Sequence, residues 1–107
     1  SGVTLDNKGI NITGKRGAQA RCVYNGEVST VANIGGSYIV IVRHGEFYSV
    51  YSNLASVSVR NGQNVTTRQT IGTVASDGTG NATLHFQLRQ RSGASANHIN
   101  PLPWLAR

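Results

Sequence analysis

Apolar residues in this chain come in short runs, each closed by a glycine turn, and no segment sustains the periodicity of a buried helix face. That pattern leaves little besides strands. Tyr38–Arg43 is almost continuously β-branched, the composition of a central strand buried on both faces. Thr83–Gln90 alternates polar and apolar residues, as a strand with one buried face does. Gly9–Ile12 reads as a brief strand, with Gly14 to Gly17 as punctuation. Ala18–Tyr24 and Glu27–Ala32 flank Asn25-Gly26, a dipeptide suited to a tight hairpin turn with positive φ. Gly35-Gly36 breaks the chain again, and Gly45-Glu46 turns it into Phe47–Ser52 as a second hairpin. Asp77–Asn81 is a polar loop, Arg91 to His98 is another, and Pro101-Leu102-Pro103-Trp104-Leu105 docks the terminus. The expectation is an all-β domain of antiparallel hairpins with little or no helix.

A length of 107 residues fits a single domain with a core of modest size. Charged residues are only 13% of the chain, replaced by Ser, Thr, Asn, Gln and Gly, which is not the profile of a disordered segment. Ten basic residues oppose four acidic ones for a net charge of +6, and all the basic residues except Lys8 and Lys15 are arginine. Such an excess favours acidic partners. The charges are scattered singly, with no basic run or basic helix, so nucleic acid is not expected as a partner. Cys22 is the only cysteine, which excludes an internal disulfide and a thiolate metal cluster and leaves the redox compartment open. Its setting, Ala-Arg-Cys-Val-Tyr, is that of a small buried hydrophobe. No signal peptide or membrane span is present in the sequence. The segment from Val57 to Val74, short apolar pairs between glycine turns, resembles the half-barrel of lipoyl and biotin carriers. Those carriers need a lysine at a hairpin tip, and Lys8 and Lys15 lie far upstream.

A broader resemblance covers nearly the whole chain in order. Leu84-His85-Phe86-Gln87-Leu88-Arg89, followed by Asn100-Pro101-Leu102-Pro103-Trp104-Leu105, resembles the C-terminal signature of the lysostaphin/LytM family of zinc endopeptidases. Asn7-Lys8-Gly9-Ile10-Asn11-Ile12 resembles the family's opening ligand motif, and Asn25-Gly26-Glu27-Val28 a hairpin in which glycine precedes a valine strand. Ile41-Val42-Arg43-His44-Gly45 and Val50-Tyr51-Ser52-Asn53-Leu54 resemble the central hairpin, and Val59 through Val74 the glycine-punctuated segment. The resemblance implies the family's duplicated hybrid motif, a barrel-sandwich-like arrangement. In the active family a histidine and an aspartate four residues apart, with the second histidine of a His-x-His pair, hold zinc. A further histidine follows the central Tyr-x pair, and the first histidine of His-x-His assists catalysis. The matching positions here are Asn7, Asn11, His85, Asn53 and Thr83. A hydrolytic zinc needs about three protein ligands. The resemblance therefore implies a domain without bound zinc and without endopeptidase activity. His44, before a glycine turn, is expected to be structural, and His98 to face solvent. No serine or threonine shows a readable base beside it.

Strand parity adds a groove. Leu84, Phe86 and Leu88 should face the core, leaving Thr83, His85, Gln87 and Arg89 on the other side. Tyr51 and Asn53 share a parity, and the resemblance aims them at the same groove. Tyr51, Asn53, Thr83, His85, Gln87 and Arg89 are thus the candidate partner-binding residues. Degenerate domains of this kind resemble the murein hydrolase activators of the EnvC/NlpD type, in which the domain follows a coiled coil and switches on a cell-wall amidase during division. The implied partner is a cell-wall amidase or peptidoglycan, and the implied location is the periplasm. A peptidoglycan-binding module and an endopeptidase with an altered zinc site are the alternatives.

Overall fold

The computed structural model describes residues 9–90, and they form eight strands with no helix among them. In chain order these are β1 (Ile10–Lys15), β2 (Gln19–Arg21), β3 (Gly26–Ile34), β4 (Ser37–Arg43), β5 (Phe47–Val57), β6 (Asn64–Val65), β7 (Thr70–Val74) and β8 (Asn81–Gln90). Six of them run side by side as β1-β8-β5-β4-β3-β6, while β7 pairs with both β2 and the far half of β5. Every pairing is antiparallel. The all-β expectation holds, as does the hairpin at Gly45-Glu46, and the break at Gly35-Gly36 is the turn of the β3-β4 hairpin. Gly35, Gly36 and Gly45 adopt the positive φ those turns require.

Alternation along the strands builds the core. Val40 and Val42 of β4, Phe47, Ser49 and Tyr51 of β5, and Ala82, Leu84, Phe86 and Leu88 of β8 point to one side. Ala20, Cys22, Ile71 and Val74 close over them from β2, the residues after it, and β7. The Tyr51 and Phe86 rings meet at 5.4 Å, tilted by 57°. The other side of the same strands is the site.

Three expectations about elements need correction. Asn25-Gly26 is not a hairpin turn: β2 leaves to pair with β7, and Gly26 already belongs to β3. Glycine is needed there for closeness, because a Cβ on Gly26 would run into the Arg43 carbonyl oxygen and come within 2.8 Å of His44 Nδ1. The first strand does not stop at Gly14 but continues to Lys15, held by Gly14 opposite Ala82 and Lys15 opposite Asn81. Finally, β4 is not buried on both faces. Ile39 and Ile41 remain partly exposed and floor the groove described below. The docking of Pro101–Leu105, the loop of Arg91 to His98, and position Asn7 lie outside the described residues.

Candidate functional site

The outer face of β8 carries a continuous run of polar contacts. Thr83, His85, Gln87 and Arg89 alternate with the core residues and share this face. The edge strand β1 lies alongside, with Asn11 opposite His85 and Thr13 opposite Thr83. His85 Nδ1 is 2.8 Å from Asn11 Oδ1, and His85 Nε2 is 3.2 Å from Gln87 Nε2. Arg89 Nε donates to Gln87 Oε1 at 2.9 Å. Thr13 and Thr83 share a hydroxyl contact of 3.2 Å. On the other flank of β8, Ser52 Oγ donates to the His85 carbonyl at 3.2 Å and Asn53 Nδ2 to the Thr83 carbonyl at 2.6 Å. Five of the residues singled out from sequence, Asn53, Thr83, His85, Gln87 and Arg89, therefore converge, together with Asn11.

Tyr51 does not join them. It is 0% exposed and sits in the core, where its hydroxyl accepts a hydrogen bond from Val23 N at 3.0 Å and approaches Cys22 Sγ at 3.8 Å. Parity assigned Tyr51 and Asn53 to one face because it counted through a bulge. Val40 pairs with Tyr51 but Tyr38 pairs with Leu54, so two steps on β4 face three on β5. The extra residue is absorbed at Asn53, whose φ is 68°, a left-handed conformation that asparagine tolerates better than most side chains. Tyr51 and Leu54 consequently both point inward, and Ser52 outward.

What replaces Tyr51 in the groove is a set of residues that sequence reasoning missed. A cleft of about 490 Å³ is lined by Ser29, Ile39, Ile41, Tyr48, Val50, Ser52, Gln87 and Arg89. Tyr48 stands directly opposite Arg89 across β5 and β8, and Val50 opposite Gln87. The available signal was the alternation Tyr48, Val50, Ser52. It was ambiguous because Phe47 and Tyr51 on the other parity are equally apolar. An apolar floor with a few convergent polar groups is the usual composition of a binding cleft.

His44 lies apart from this groove, with Nδ1 2.8 Å from the Asn25 carbonyl and Nε2 2.6 Å from Ser49 Oγ. The carbonyl can only accept, so Nδ1 carries the proton and Nε2 accepts from the serine. Burial holds its pKa below the ordinary histidine range. Here a hydroxyl does meet a base, contrary to expectation, but Ser49 is 0% exposed and no substrate can reach it. Phe47 stacks on the His44 ring at 5.1 Å, so the pair reads as a packed structural device.

Among the described residues no group of three or more His, Cys, Asp or Glu side chains comes together. Among the described residues His85 is the one zinc-type ligand in the groove, and its Nδ1 is engaged by Asn11. Its Nε2 meets the Gln87 amide, and both amides are neutral groups that do not compensate a dication. The donors described on this face, one imidazole among neutral amides and hydroxyls, are not by themselves the ligand set of a hydrolytic zinc.

Peptidase family M23 matches residues 6–101 of the chain. The chain belongs to that family. Its M23 domain is 35% identical over 100 residues to the murein hydrolase activator NlpD of Escherichia coli, covering 91% of this chain and 26% of that protein. It is also 35% identical over 102 residues to the lipoprotein YgeR of the same organism, covering 92% of this chain and 39% of that protein. The chain thus spans about a quarter of the length of the murein hydrolase activators NlpD of Salmonella dublin and Escherichia coli that it matches. Among solved structures, lysostaphin from Staphylococcus simulans superimposes with a TM-score of 0.73 at 21% identity, covering 92% of this chain and 42% of lysostaphin. Helicobacter pylori Csd3 does so at 0.72 and 25% identity, covering 91% of this chain and 26% of Csd3. The LytM-like fold expected from the sequence motifs is the fold observed.

Proposed function

We propose that this M23 domain is a non-catalytic module of the bacterial cell envelope, without zinc, that binds a cell-wall amidase through the β4-β5-β8 groove and switches it on. The observation that carries this reading is the groove itself. Where a family peptidase needs free metal ligands, Asn11, His85, Gln87 and Arg89 are joined to one another, and beside them lies an apolar floor open to a partner. Relatives named murein hydrolase activator support the same reading, and relatives named as lipoproteins support an envelope location. The full protein is proposed to carry a coiled coil before this domain. Activation would be a population shift: the domain binds the amidase state with an accessible catalytic cleft more tightly than the closed one.

The test is amidase turnover on purified cell wall, with and without the 107-residue chain. Faster release of stem peptides with amidase present, and none from the chain alone, is expected. An unchanged amidase rate with the chain sedimenting on cell wall would point instead to a peptidoglycan-binding module. Cross-link cleavage by the zinc-supplemented chain alone would point to an endopeptidase.

A further inference from the structure

Arginine has five N–H donors and no acceptor. That single fact fixes the donor and acceptor roles along the row from Arg89 to Asn11. Arg89 Nε donates to Gln87, so the atom it meets at 2.9 Å must be the amide oxygen. The amide nitrogen of Gln87 then faces His85 Nε2 at 3.2 Å, and Nε2 must accept. The neutral ring therefore carries its proton on Nδ1, which donates to Asn11 Oδ1 at 2.8 Å. Donors and acceptors alternate from Arg89 to Asn11 with no free choice, in a row that reaches from one strand to the next.

Gly9 closes over the middle of this row. A Cβ there would stand 2.6 Å from Gln87 Cγ and 3.2 Å from His85 Nε2, and φ is +77°. Only glycine lets the chain entering β1 lie on the two side chains without displacing them. At the far end, the terminal nitrogens of Arg89 have no acceptor among the described residues, while Arg89 itself lines the cleft floored by Ile39, Ile41 and Val50. None of the three described acids is ion-paired with it: Glu27 is paired with Arg43 at 2.7 Å, Asp77 accepts from Thr79, and Glu46 makes no ion pair with Arg89.

We infer that Asn11, His85 and Gln87 are positioning residues that hold Arg89 by its Nε. Its two terminal nitrogens then receive a carboxylate from a protein partner whose neighbouring aliphatic side chain seats on Ile39, Ile41 and Val50. The inference rests on the reading of this groove as the partner-binding surface. A guanidinium fixed at Nε loses less rotamer freedom on binding, and the remaining fork grips a carboxylate with two parallel hydrogen bonds. The histidine at a family metal position thus serves as a spacer in a hydrogen-bonded row.

The test reads the row directly, in the 107-residue chain, by nitrogen-15 NMR. The wild type should show His85 as the Nδ1–H tautomer and an Arg89 Nε–H that exchanges slowly with water. Gln87→Met keeps the side-chain shape and removes both bonds, so Arg89 exchange should quicken roughly five- to tenfold, the scale of one lost hydrogen bond. Gln87→Glu restores an acceptor and should restore protection, while its carboxylate occupies Arg89 and lowers amidase stimulation. An Nε2–H tautomer in the wild type, or Arg89 exchange unchanged in a folded Gln87→Met variant, would overturn the inference. Undiminished amidase stimulation by Arg89→Ala, with the wild-type exchange pattern as expected, would instead remove the partner reading and leave the row standing.

Discussion

At the scale of single residues, two arginine-facing and core-facing side chains carry opposite predictions. Arg89 is exposed and, among the described residues, makes one side-chain hydrogen bond, to Gln87, so Arg89→Ala should leave stability within about 0.5 kcal/mol. If it is the groove's anchor, partner affinity should fall at least tenfold, corresponding to roughly 2 kcal/mol for a hot-spot arginine. Arg89→Lys should not rescue it, because lysine offers no planar fork. Titration of the amidase with each folded variant measures this, and wild-type affinity would take Arg89 out of the site. Tyr51 should behave the other way round. Tyr51→Phe removes the acceptor for Val23 N and the contact with Cys22. It should cost about 1–2 kcal/mol in denaturant unfolding while leaving partner binding unchanged. A binding defect without a stability defect would return Tyr51 to the groove.

At the scale of elements, the bulge in β5 decides what was legible. The strands Tyr38–Arg43, Phe47–Ser52 and Thr83–Gln90 could be read from β-branched runs and alternation, and so could the polar face of β8. Parity there runs uninterrupted, with Thr83, His85, Gln87 and Arg89 outward throughout. β5 could not be read in this way, because a bulge leaves no signature in hydrophobic pattern beyond an asparagine at a plausible place. The pairing of β2 with β7 was equally hidden. Asn25-Gly26 has the right chemistry for a turn, and only the long-range contact of Gly26 with Arg43 shows why glycine is there. The bulge gives a prediction of its own. Asn53 combines a φ of 68° with a side-chain bond to the Thr83 carbonyl. Asn53→Ala should lose both, at about 1–3 kcal/mol. Asn53→Gly should be milder, since it restores conformational freedom and loses only the bond. Thermal melts of the two variants separate the contributions, and equal losses would show that backbone conformation carries none of the cost.

At the scale of the whole molecule, buried titratable groups define a window of stability against pH. His44 is held neutral by desolvation, with its pKa below the ordinary value near 6.5. The unfolded chain therefore binds a proton at that site before the folded one does. Stability is full above about pH 6.5 and declines as pH falls from there through the lowered folded value. On the alkaline side, burial raises the pKa of both the Cys22 thiol and the Tyr51 phenol. There the unfolded chain releases protons first, so stability is present below their ordinary values, about 8.5 and 10, and is lost as pH rises past them. Asp77, its carboxylate bonded by Thr79, titrates below the ordinary carboxylate range and adds a contribution that disappears only in strong acid. The melting temperature should accordingly form a plateau around neutral pH, with an acid interval of falling stability that begins below about pH 6.5. His44→Gln keeps an amide able to bond both the Asn25 carbonyl and Ser49 but has no proton to gain. Its melting temperature should therefore be flatter across that interval than the wild type's, while Tyr51→Phe should flatten the limb above about pH 10. Parallel curves for wild type and His44→Gln below about pH 7 would mean that the buried imidazole does not set the acid edge.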